Sequence, residues 1–233
     1  MKKLLLALAI ALTAPGAHAV PMSELLNGGS IRVGDKLFDS WELMFHDSSD
    51  GRSFNAANID VTGIDDGGDY GLRFNVLNNE LSIGGDDLFA YVDLMFGFRA
   101  AVVDPTMRIN GVSLALTGGT LFFPTGTDLG LYARETVGSA SGLDDLGAMD
   151  AEFSVLDSVL NSDETDSVGF APASEIWVSK NILVWAVDAT DTATLTAFDQ
   201  RFSQVAVPEP ASLGLLGLGF AALAATRRRK QAA

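Results

Sequence analysis

Cysteine is absent from all 233 residues. Its absence excludes disulfides, thiolate zinc sites, iron–sulfur clusters and cysteine nucleophiles. Any stable fold must therefore come from packing and polar pairing. Positive charge is also scarce, with 15 Lys and Arg against 30 Asp and Glu. Six of those cations sit at the two ends, as Lys2, Lys3, Arg227, Arg228, Arg229 and Lys230, while Glu209 is the one acid there. Residues 20–206 keep nine basic and 29 acidic side chains, a net charge near −20. Such a body repels nucleic acid and anionic lipid. The charge suits solubility outside the cell or attraction of divalent cations. Histidine occurs only as His18 and His46. No G-x-x-x-x-G-K-[ST] phosphate loop is present, and no repeat of fixed period marks a solenoid.

Both ends read as sorting signals. Lys2 and Lys3 precede an apolar stretch from Leu4 to Leu12, and Ala17-His18-Ala19 forms an A-x-A site. This is the pattern of a secretory signal peptide over residues 1–19, cleaved before Val20 and handled by the Sec translocon and signal peptidase. At the other end, Pro208-Glu209-Pro210 leads into an almost wholly apolar run from Ala211 to Thr226, closed by the basic cluster. A helix over that run would be roughly 24 Å long, against about 30 Å for a hydrocarbon core. Gly214, Gly217 and Gly219 suit close helix contact in lipid. The run has no polar face, so a transmembrane helix is expected rather than a core or amphipathic one. The basic cluster places the body on the far side of the membrane.

Between the ends lies one domain-sized body, residues 20–206, large enough for a real core. Period-two apolar runs bounded by Gly, Asp and Asn recur through it, which is the signal of strands and turns. They cover 30–33, 37–45, 58–62, 70–77, 88–103, 107–116 (on either side of Asn110-Gly111), 175–187 and 192–207. The best helical candidate is 143–160, which also reads as a loop plus a strand. The polar stretch 161–167 reads as an exposed loop. The fold expected is all-β, a jelly-roll-like β-sandwich between a signal peptide and a C-terminal transmembrane helix.

Chemistry-bearing candidates are few. His46 has acidic neighbours at Asp47 and Asp50, but no serine elbow accompanies it. Gly138-Ser139-Ala140-Ser141-Gly142 carries Ala where G-x-S-x-G requires Ser. A solvated loop histidine is the expectation. Acidic clusters at 47–51, 65–69, 84–87 and 144–145 sit beside glycines. Calcium takes six to eight hard oxygens, and Asp65, Asp66 and Asp69 are the candidate ligands, though none of the clusters follows EF-hand spacing. Turn chemistry explains the same residues. No other cofactor is indicated. Paired carboxylates could hydrolyse glycosides, but 29 acids offer no means of choosing a pair. Trp41, Trp177, Trp185, Tyr70, Tyr91 and Tyr132 could stack on sugars, with core packing expected for the tryptophans.

Taken together, Pro208, Glu209 and Pro210, the apolar run and Arg227, Arg228 and Arg229 resemble a PEP-CTERM sorting signal over residues 207–230. The same tail also goes by the name of an ice-binding protein C-terminal motif, which implies no ice binding here. The resemblance implies processing by an exosortase-type membrane protease in Gram-negative bacteria rich in exopolysaccharide, with cleavage near Pro208–Pro210. The body resembles uncharacterised proteins of that kind at 28–38, 70–74, 176–182 and 200–204, which implies a secreted β-sandwich and carries over no catalytic residue. The expectation is therefore a non-enzymatic envelope or biofilm-matrix protein, structural or adhesive, first anchored in the inner membrane and then exposed at the surface or released. The alternatives are a carbohydrate-binding module, with calcium or exopolysaccharide as partner, and an exopolysaccharide hydrolase.

Overall fold

The computed structural model describes residues 19–124 and 128–207. The signal peptide, with Ala17, lies outside the described residues, as do the apolar run, Pro208–Pro210 and Arg227–Arg229. Ala19 is exposed, and the first strand begins at Val20.

Among the described residues, fourteen strands build two antiparallel sheets. The first sheet runs β1 (Val20–Pro21), β4 (Ile59–Asp65), β5 (Tyr70–Val76), β14 (Thr192–Ala206), β8 (Met107–Phe122) and β12 (Thr165–Ala173), with β6 (Ser82–Gly84) also paired to β14. The second runs β11 (Val159–Asp163), β10 (Gly147–Leu156), β9 (Leu129–Gly138), β13 (Glu175–Ala186), β7 (Ala90–Val102), β3 (Lys36–Ser48) and β2 (Ile31–Val33). A five-residue helix, α1 (Met22–Leu26), buries Met22 and Leu25. Among the described residues, no helix is long and apolar enough to cross a membrane.

Alternation decides which side chains meet between the sheets, because successive residues of a strand point to opposite faces. Val92, Leu94, Phe96, Phe98 and Ala100 of β7 and Ile176, Val178, Ile182 and Val184 of β13 are all buried. Across from them, Phe74, Phe198 and Phe202 fill the first sheet's inner face. Phe74 stacks on Phe198 at 4.5 Å and 8°, and Trp41 stacks on Phe98 at 4.5 Å and 25°. Truncating any of these rings to Ala would cost about 3–5 kcal/mol.

Three expectations change. Residues 143–160 form no helix and follow the loop-plus-strand reading: a turn leads into β10, then the Asp157-Ser158 turn into β11. Residues 161–167 are not a loop but parts of β11 and β12. These strands edge the two sheets and are exposed on most positions. An edge strand wetted on both faces has no apolar alternation to betray it. His46 lies in β3 rather than a loop, opposite Leu94, with its ring stacked on Phe54 at 5.4 Å. Gly111 lies inside β8, between Gly169 of β12 and Ser203 of β14.

Candidate functional site: a cleft on the outer face of the second sheet

Residues of odd number in β7 and β13 point outward, and their register stacks them into rows. Asn181 is level with Met95 of β7 and Arg134 of β9, and Arg134 in turn with Asp150 of β10. One row along, Ser179 is level with Gly97 and Thr136. These rows, with Met44 of the bulged β3 and the 139–146 turn, enclose a cleft of about 320 Å³. Its lining combines Met44, Met95 and Leu143 with Arg134, Ser179 and Asn181. Gly97 provides the depth: a Cβ there would come within 3.5 Å of the Met44 sulfur and 3.0 Å of the Val178 carbonyl oxygen.

The polar rim is fixed by its own partners. Arg134 donates to both Asp150 oxygens, at 3.1 and 3.3 Å, and the Tyr132 hydroxyl donates to the same carboxylate. Desolvation, then the Asp150 contact, pushes the Tyr132 phenol above its ordinary value. Asn181 donates to Asp93 at 2.6 Å, and the Tyr91 hydroxyl to Asp47 at 2.6 Å. The turn that forms one wall is pinned by Asp145, which accepts from the Ser139 backbone N–H at 2.8 Å and its hydroxyl at 2.7 Å. Those two bonds, the backbone one first, hold the Asp145 carboxyl below the usual range. Asp47, Asp93, Asp145 and Asp150 thus accept hydrogen bonds from neighbours, while Asp144 adds an acid to the lining. An apolar floor beside oriented donors fits a neutral, partly apolar ligand.

The sequence-derived candidates fall elsewhere or singly. Asp65 and Asp66 lie at the β4–β5 turn, where Asp66 is paired with Arg201, and its backbone N–H donates to the Asp69 carbonyl. Arg73 and Arg201 line the same surface depression. Among the described residues, no group of three or more His, Asp or Glu converges to hold a metal. Asp50 pairs with Arg52, Asp86 accepts from the Leu88 N–H, and Asp87 accepts from the Ala189 N–H at 2.9 Å. These are turn roles. Trp41 is buried in the core. Trp185 is buried too, but outside the core, where a Cβ on Gly130 would collide with its indole. Trp177, Tyr70, Tyr91 and Tyr132 are half-buried.

Sequence reasoning missed β9 and the ionisable groups inside the sandwich. Glu135 and Lys180 are 0% and 1% exposed. The available signal was parity: Glu135 continues the inward series Leu129, Leu131, Ala133, and Lys180 continues Ile176, Val178.

Fold and cleft together define an all-β, two-sheet domain with a cleft on one outer face. Residues 206–230 match the PEP-CTERM protein-sorting motif, so the chain carries that signal, which implies export and an exosortase as processing partner. The match begins at the last residue of β14. No curated protein matches the chain. Among solved structures, it is similar to TmCBM61 in complex with β-1,4-galactotriose, at 10% identity and a TM-score of 0.26, covering 72% of this chain and 89% of that one.

Proposed function

We propose that the chain is an exported, non-catalytic protein of the bacterial envelope or extracellular matrix, with a structural or adhesive role. The carrying observation is the sorting motif set against the end of the last strand. β14 ends at Ala206, where the motif starts, so a protease working near Pro208–Pro210 cuts beyond the last strand. The acidic surface supports the same reading, since net charge far from zero keeps a released domain soluble. Before processing, the apolar run holds the precursor in the inner membrane. Fractionation of cells expressing the full chain and a chain truncated before Pro208 tests this. The full precursor is expected with the membrane and the truncated chain in the soluble exported fraction. Identical fractionation of the two overturns it.

The cleft supports a second reading, a carbohydrate-binding module. Met44, Met95 and Leu143 offer an apolar surface to sugar C–H groups, and Arg134 and Asn181 offer donors to hydroxyls. Calorimetric titration with a panel of soluble polysaccharides, with and without chelator, is expected to give heat that Arg134→Ala removes. No heat in either condition argues against it.

A further inference from the structure

Between the leader and the tail this chain has two lysines, Lys36 and Lys180, and two glutamines, Gln200 and Gln204. Lysine is among the residues least often buried, yet both are fully buried, and each donates to one of the glutamines. Lys180 of β13 and Glu135 of β9 are cross-strand partners in the second sheet, and Gln200 reaches them from β14 of the first. The Lys180 ammonium contacts both Glu135 Oε2 and Gln200 Oε1. Two polar atoms in this group have no partner, Glu135 Oε1 and Gln200 Nε2.

We infer that Lys180 and Gln200 become joined by an isopeptide bond across the two sheets, with Glu135 as the group that moves the proton. Lys180 Nζ, as the neutral amine, attacks Gln200 Cδ, which is one bond from the oxygen it already touches. Its electron pair forms the Nζ–Cδ bond, and the carbonyl π electrons move onto Oε1. Glu135, in its neutral form, takes a proton from Nζ on Oε2 as it gives its own from Oε1 to Nε2. The carbonyl reforms, the Cδ–Nε2 bond breaks, and ammonia leaves. Amine plus primary amide gives secondary amide plus ammonia, so the step needs no oxidant, reductant or cofactor.

In water this reaction is negligible, because the amine is protonated and the amide is unreactive. Inside the sandwich both obstacles shrink. Burial pushes the Lys180 amine down and the Glu135 carboxyl up, and their mutual attraction offsets this only in part, so the uncharged forms gain ground. Fixed groups at contact distance can reach effective concentrations on the order of 10⁵–10⁸ M. A carboxyl within hydrogen-bond reach of the nucleophile is the geometry required of a general base and acid. The Gln200 side chain also acts on the Glu135 carboxyl, the contact that proton delivery to Nε2 requires. A domain without cysteine would thereby gain a covalent tie between its sheets.

Peptide mapping of the folded full chain, digested under denaturing conditions, tests the inference. The Lys180 and Gln200 peptides are expected as one branched species, lighter by one ammonia than the two together, and Glu135→Ala is expected to leave them linear. Recovery of both as linear, unmodified peptides from the wild type overturns the cross-link and leaves a plain buried ion pair. A branched peptide that persists in Glu135→Ala overturns the role given to Glu135. If that variant does not fold, the wild-type map decides the cross-link by itself.

Discussion

Two buried lysines sit in the same sandwich with the same kinds of partner, an acid and a glutamine of β14. Lys180 lies deep, and Glu135 and Gln200 are as inaccessible as it is. Lys36 lies at the end of the β2–β3 turn. Its carboxylate, Asp35 at 2.6 Å, keeps 17% of its side chain exposed, and Gln204 is half-buried. The Tyr70 ring, seated against Gly34 where φ is +55°, lies 5.4 Å from the Lys36 ammonium. The rim site opens to water through Asp35 and sets a ring face beside the ammonium. The deep site has only its own three groups, so the cost of charge falls on the pair itself.

Removing each cation probes this contrast most strongly. Lys180→Ala leaves Glu135 buried and unpaired and is expected to cost about 3–5 kcal/mol. Lys36→Ala leaves Asp35, which can turn to water, and is expected to cost about 1–3 kcal/mol. Denaturant midpoints at unchanged slope measure both, and equal losses would break the comparison. The two sites should also differ covalently. Lys36 and Gln204 are expected in linear peptides, since Asp35, the acid there, is partly exposed rather than sealed in. A branched Lys36–Gln204 peptide would show that burial of the acid does not decide reactivity.

A smaller effect sharpens the rim site. Tyr70→Leu removes the ring face from Lys36 and is expected to lower stability by about 1 kcal/mol, with Lys180 unaffected in the peptide map. An equal change at both lysines would mean that the ring acts through the whole sandwich. The smallest effect belongs to a surface pair. Arg99 donates to both Asp39 oxygens, at 2.8 and 2.7 Å, and holds its carboxyl below the ordinary value of 3.8. The folded form therefore releases its proton more readily than the unfolded form. Its stabilisation is present above pH 3.8 and is lost as pH falls through the depressed folded value. Asp39→Asn is expected to flatten that acid limb by less than about 1 kcal/mol. An unchanged acid-unfolding curve would remove the pair from the account.

Legibility in the sequence followed wetting. Strands with one dry face, such as β7 and β13, announced themselves by alternation, which also marks their inward positions. Strands β11 and β12, wet on most positions, read as a loop. Strand β9 hid because Glu135 interrupts its apolar series. The sorting tail was readable as a linear signal, and the motif match at 206–230 agrees with it. The cleft was not readable, since Met44, Met95, Arg134 and Asn181 come from four strands that only the register brings level.

Sequence by itself determined the all-β character, the inward faces of the dry strands and the address at the C-terminus, because each depends on neighbours along the chain. Tertiary structure alone decided that Lys180, Glu135 and Gln200 share one dry point. Nothing local distinguishes an inward lysine with partners from an outward one in water. Only the pairing of β9 with β13, and the stacking of β14 across them, removes the solvent and leaves the three groups to one another.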